Sequence, residues 1–122
     1  MNLGFTYCHR ISGERADNIE QAISYCQSAL VIYTCEAFPE DWARTQRNLG
    51  TAYSSRIKGQ RWQNLEDSIL CYQSALEVFD RNVFPYEWAK TIMYLGNAYY
   101  SRIKGERWKN LEESIACCQS VL

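Results

Sequence analysis

Cys8 and His9 stand side by side near the start of the chain, the first pair of residues whose types could do chemistry. A thiol beside an imidazole is the raw material of a cysteine nucleophile. His9 is the only histidine, however, and adjacent residues on a helix do not face one another, so the pair is poorly placed for proton transfer. Two acidic pairs, Glu66-Asp67 and Glu112-Glu113, could share a proton as general acids or bases. They fall at the starts of expected helices, where the positive end of the helix already accounts for acids. The segment RIKGQRWQN at 56–64 returns as RIKGERWKN at 102–110, a glycine set among cations that invites a phosphate. A phosphate-binding P-loop needs a strand, a second glycine and Lys-Ser/Thr, none of which surrounds this glycine. An anion held at a helix start by Arg61 or Arg107 is the chemistry that remains.

Cys8, Cys26, Cys35, Cys71, Cys117 and Cys118 form no C-x-x-C pair and meet no histidine cluster. Zinc and redox chemistry are therefore unsupported, and the cysteines read as small buried hydrophobes in a reducing compartment. The residues name no catalytic, cofactor-binding or metal-binding set. The 122-residue length fits one domain, and 47% apolar with 22% charged residues is an ordinary globular balance. A net charge of -1 gives no reason to expect nucleic acid or an anionic membrane. No apolar run approaches the roughly 20 residues of a spanning helix. MNLGFTYCHRISGER lacks the layout of a secretory signal, so a cytoplasmic protein is expected.

The elements that must position any site follow from an internal repeat. Leu3-Gly4, Leu49-Gly50 and Leu95-Gly96 are 46 residues apart, as are Gly13, Gly59 and Gly105, and Asn18, Asn64 and Asn110. Residues 49–76 and 95–122 share 20 identities in 28 positions. Such a period means stacked supersecondary units. Each unit reads as two helices. Pro39 opens the first with acids beside it, and Trp42, Leu49, Gly50, Tyr53 and Ile57 share one helical face. Asn64 is expected to cap the second helix with Asp67 at capping-box spacing, and Gly59 to end the first in a left-handed conformation. The pattern predicts helices over 1–11, 19–35, 39–57, 65–80, 85–103 and 111–122. Trp62 and Trp108 are expected to pack over the connection.

The motif L-G-x-x-Y, at Leu3-Gly4 to Tyr7, Leu49-Gly50 to Tyr53 and Leu95-Gly96 to Tyr99, resembles the first-helix core of the tetratricopeptide repeat. Ala22, Cys26 and Ala29, then Ser68, Tyr72 and Ala75, then Ser114, Cys118 and Val121 are similar to that family's second-helix pattern. The likeness covers essentially the whole chain. It departs in period, 46 against about 34, and in Trp42 and Trp88, which stand seven residues before the leucine. The resemblance implies an all-α domain of antiparallel helix pairs stacked as a right-handed solenoid. Residues 1–122 form one such domain, with a partial repeat at 1–38, a full one at 39–84 and a truncated one at 85–122.

In the resembled family the first helices line a concave groove. On the face opposite Leu49 and Tyr53 lie Arg44, Arg47, Thr51, Ser54 and Lys58, followed in the next unit by Lys90, Met93, Asn97, Tyr100 and Lys104, with Met1, Phe5 and Cys8 before them. These make a partly basic, partly apolar face suited to a protein segment or peptide carrying acidic groups. A solvated face without a ligand is the plain alternative. The expected function is a non-enzymatic scaffold or adaptor, of the kind the resemblance associates with bacterial signalling. The alternative is a self-assembly module forming homo-oligomers: the first and third units are incomplete and leave apolar surface for a neighbour, as expected either of self-association or of a piece of a longer array.

Overall fold

The computed structural model describes residues 3–121, with side chains described from 13 to 105. Four helices follow one another: α1 (Leu3–Ile32), α2 (Pro39–Ser55), α3 (Arg61–Leu76) and α4 (Pro85–Val121). No strand occurs among the described residues. The expected six helices are thus corrected to four. The breaks predicted near 12–18 and 104–110 are absent, and α1 and α4 run unbroken through Gly13 and Gly105.

Only the middle unit bends. Pro39 at the start of α2 has no N–H to leave unpaired, and Glu40 and Asp41 sit at the helix's positive end. The helix stops at Arg56, whose backbone is extended at φ -61 and ψ 130. Gly59 then takes φ 85, the left-handed conformation that the sequence predicts for it. Asn64 does not cap α3, as its spacing suggested, because α3 begins three residues earlier with Gln60 before it. Asn64 is buried inside the first turn, donates from Nδ2 to the Lys58 carbonyl at 2.9 Å and accepts from Arg56 Nη1 at 3.4 Å. The amide therefore ties the connection shut from within the helix.

The nearly identical letters at 102–110, which differ at two of nine positions, stay helical for a physical reason. A straight helix keeps the backbone hydrogen bonds that a turn gives up, so bending needs compensating burial. In the middle unit α3 is sandwiched, burying Leu65, Ser68, Ile69, Cys71, Tyr72 and Ala75 between α2 on one side and α4 on the other.

The 46-residue period is visible in the packing. Ile23 and Cys26 of α1 meet Leu49, Ala52 and Tyr53 of α2; Ile69 and Tyr72 of α3 meet Leu95, Ala98 and Tyr99 of α4. Gln27 Nε2 donates to Tyr53 Oη at 3.3 Å, and Gln73 Nε2 to Tyr99 Oη at 2.9 Å. Arg56 holds Glu20, and Arg102 holds Glu66. The connections at 33–38 and 79–84 repeat as well, each closed by an edge-on aromatic pair: Tyr33 with Phe38 at 5.6 Å, Phe79 with Phe84 at 5.5 Å. The extra length of the repeat is therefore ordered structure.

Two glycines bear this architecture. A Cβ on Gly50 would lie 2.8 Å from Tyr72 Cε1 and 3.2 Å from Cys71 Cβ. Gly50→Ala is expected to lower stability by about 2 kcal/mol through overpacking, and Gly59→Ala by about 1 kcal/mol through the left-handed backbone. Urea unfolding followed by circular dichroism checks both; unchanged midpoints would contradict the close approach and the turn respectively.

Candidate functional site

The second half of α2 and the middle of α4 stand side by side with α3 beneath them. Thr51 and Ser54 from α2, Tyr94, Asn97 and Ser101 from α4, and Arg61, Leu65 and Tyr72 from α3 line a cleft of roughly 330 Å³. It shares Arg61, Leu65 and Ser101 with a wider recess of roughly 610 Å³, which adds Trp62, Glu66, Arg102 and Gly105. The recess exists because α4 passes straight over the start of α3.

Each polar group in the cleft has a structural reason for its position. Thr51 and Ser54 are one turn apart, so both face the same side of α2. Thr51 Oγ1 sits 3.1 Å from the Arg47 carbonyl and 3.1 Å from Tyr72 Oη, linking α2 to α3. Arg61, in the first turn of α3, donates from Nη1 to the Ser54 carbonyl at 2.5 Å, which fixes a cation at the mouth shared by the two hollows. Asn97 and Ser101, again one turn apart, form the opposite wall on α4. Tyr72 and Leu65 provide the buried floor.

Of the expected binding residues, the structure brings Thr51, Ser54 and Asn97 into this one cleft. Met93 and Tyr100 are exposed on α4 beside it, and Lys90 is half-buried. Arg44 lies outside and pairs with Asp41 at 3.5 Å. Arg47 is buried, 5% exposed, with its guanidinium bound to Glu87 and set 5.5 Å over the Phe79 ring. It is a tie between α2 and α4. Lys58 reaches Asp17 at 3.1 Å. Trp62 is 63% exposed, which corrects the expectation that it packs over the connection; it borders the recess instead. The side chains of Met1, Phe5, Cys8, His9, Arg107 and Trp108 lie outside the described residues.

No family model, curated protein or solved structure matches this chain. The cleft must therefore be read from its own chemistry. It offers hydroxyls, a carboxamide and one guanidinium over an apolar floor, groups that hydrogen-bond and orient a ligand. Among the described residues no group of histidine, cysteine or acidic side chains could hold a metal ion. Burial pushes the Cys71 thiol up to about 12, and raises Cys26 as well, so both stay protonated near neutrality. Cys35 is exposed, against the expectation that the cysteines are buried. Sequence reasoning missed Tyr94, Leu65 and Ser101 as lining residues, because the cleft depends on how α3 lies under α4.

The ties around the cleft are carboxylate–guanidinium pairs. The hydrogen bond from Arg47 holds the Glu87 carboxyl below the usual glutamate range, with burial acting the other way. The hydrogen bond from Arg56 does the same for Glu20, which sits in a bidentate pair at 2.7 and 3.0 Å. A depressed carboxyl contributes stability above its unfolded value, about 4.3 for glutamate, and loses it as pH falls through the folded value. Stability to thermal unfolding is expected to fall steadily from about pH 5 downward. Glu87→Gln should remove much of that slope and cost about 3 kcal/mol at pH 7 by leaving buried Arg47 without its counter-charge. An unchanged acid slope in Glu87→Gln would contradict the assignment.

Proposed function

We propose that the protein is an interaction scaffold of stacked helix pairs, similar to the tetratricopeptide architecture, that binds an extended partner segment in the cleft between α2 and α4. The observation that carries this reading is the convergence of Thr51, Ser54 and Asn97 with Arg61 on one open cleft that continues into the Trp62 recess. A cleft open along its length accepts a chain more readily than a compact metabolite. Its lining alternates hydrogen-bonding groups with apolar floor, as peptide grooves do. The repeated contacts of α1 with α2 and of α3 with α4 support the stacked-repeat reading, since units related by 46 residues meet their neighbours in the same way.

The partner segment carries acidic groups. Arg47 and Arg44 are engaged by Glu87 and Asp41, so the cation aimed at the cleft is Arg61. A carboxylate seated beside it gains a charge-assisted hydrogen bond, while Trp62 offers an exposed ring to an apolar neighbour on the same segment. The described residues contain no helix long and apolar enough to cross a membrane.

Selection from a random peptide library is expected to yield acidic sequences. Arg61→Glu should weaken the selected peptide about tenfold or more, the worth of a hydrogen bond to a charged group, and Asn97→Ala less. Arg44→Glu, outside the cleft, should change affinity by less than twofold. Titration calorimetry at two salt concentrations measures these. Peptides that bind Arg61→Glu as tightly as the native chain would contradict the reading.

A further inference from the structure

The face that α3 covers on α2 lies bare on α4. Ala43 on α2 is fully buried, and its counterpart 46 residues on, Ala89, is exposed. Gly50 is buried against Tyr72 and Cys71, whereas nothing among the described residues lies within 4 Å of a Cβ placed on Gly96. Ile92 adds an exposed apolar side chain to the same face. The segment that would fit it is written in the chain. LEESIACCQSVL at 111–122 repeats LEDSILCYQSAL at 65–76, the helix that fills the corresponding face of α2. Yet α4 is one continuous helix from Pro85 to Val121, so residue 118 lies roughly 33 Å along the axis from Gly96. In this conformation the segment is out of reach of its own face.

We propose that α4 pairs antiparallel with α4 of a second copy, each laying residues 111–121 along the other's bare face, which runs from Ala89 through Gly96 to Ile103. The occupant is a second copy because it alone combines the matching sequence with the straight helix. The register follows from the α2–α3 pair. Gly50 meets Tyr72 and Cys71, so Gly96 meets Cys118 and Cys117 of the second copy. Two straight antiparallel helices in that register cross at residue 107, midway between 96 and 118. The contact is the same patch on both copies and closes on itself as a twofold dimer. RIKGERWKN is then the opened form of the connection that RIKGQRWQN closes, and each copy exchanges its third hairpin with the other. Gly105 serves as helix here, where Gly59 needs φ 85. Asn97, the counterpart of Thr51, borders both the exchange face and the α2–α4 cleft; the proposal rests on the repeat register and the straight α4, and not on the peptide-binding reading.

A Cβ on Gly50 would stand 3.2 Å from Cys71 Cβ, close to the span a disulfide bridges. Gly96→Cys is therefore made in a chain that keeps Cys117 and has Cys8, Cys26, Cys35, Cys71 and Cys118 changed to Ala, then oxidised and run without reductant. The expected product is a disulfide-linked species of twice the 14.3 kDa chain mass. A monomer with an internal disulfide would show that each chain closes its own hairpin, and free thiols would show that the faces never meet; either overturns the proposal. Light scattering on the native chain and on Gly105→Ala guards against a misfolded variant. Both should be dimers at 100 µM, because alanine favours the straight helix and is strained in the left-handed turn. A native monomer, an open series of larger species, or dissociation by Gly105→Ala would each overturn it.

Discussion

Tyr72 lodged against Gly50 is the contact on which the rest of the structure depends. Its ring fills space that any side chain on Gly50 would occupy. Its hydroxyl meets Thr51 on α2, and its other side lies 5.9 Å from the Tyr94 ring on α4. One buried aromatic therefore fixes the spacing of three helices and forms the floor of the cleft between two of them. Because protein interiors are packed close to crystal density, a side chain so enclosed transmits its position to all its neighbours. Gly50 is the absence of a side chain that makes the enclosure fit.

The same contact explains why nearly identical segments take two shapes. At 56–60 the chain bends because α3 gains a buried surface on both sides, and Arg56, Gly59 and Asn64 convert that gain into a defined turn. Across 102–110 the residues that make the turn are present, but α4 stays straight. Local sequence is permissive for either form, and tertiary burial chooses. Arg102 records the difference. It reaches Glu66 through a single bond at 3.2 Å, and its buried Nε has no partner among the described residues, while Arg56 holds Glu20 with two.

Much of this was legible in the letters. The all-helical class, the 46-residue period, Pro39 at the start of α2 and the left-handed Gly59 follow from composition, spacing and local backbone chemistry. The tetratricopeptide resemblance implies that Thr51, Ser54 and Asn97 share the first-helix groove, and the three line one cleft in the structure. What could not be read was long-range. Asn64 has the spacing of a cap and serves as an internal clasp, because its partners lie six and eight residues back across a turn. Arg47 has the position of a groove cation and is consumed by Glu87, 40 residues on. Straight α1 and α4 depend on what covers them, which no local pattern encodes.

Burial, not local sequence, decides between turn and helix in the repeated segment. Amide hydrogen exchange resolved to single residues tests it most directly, by comparing positions 57–59 with 103–105 in the same molecule. Rapid exchange is expected at Lys58 and Gly59, whose amides sit in the turn, and slow exchange at Lys104 and Gly105, whose amides sit in continuous helix. Equal protection of the two segments would contradict it.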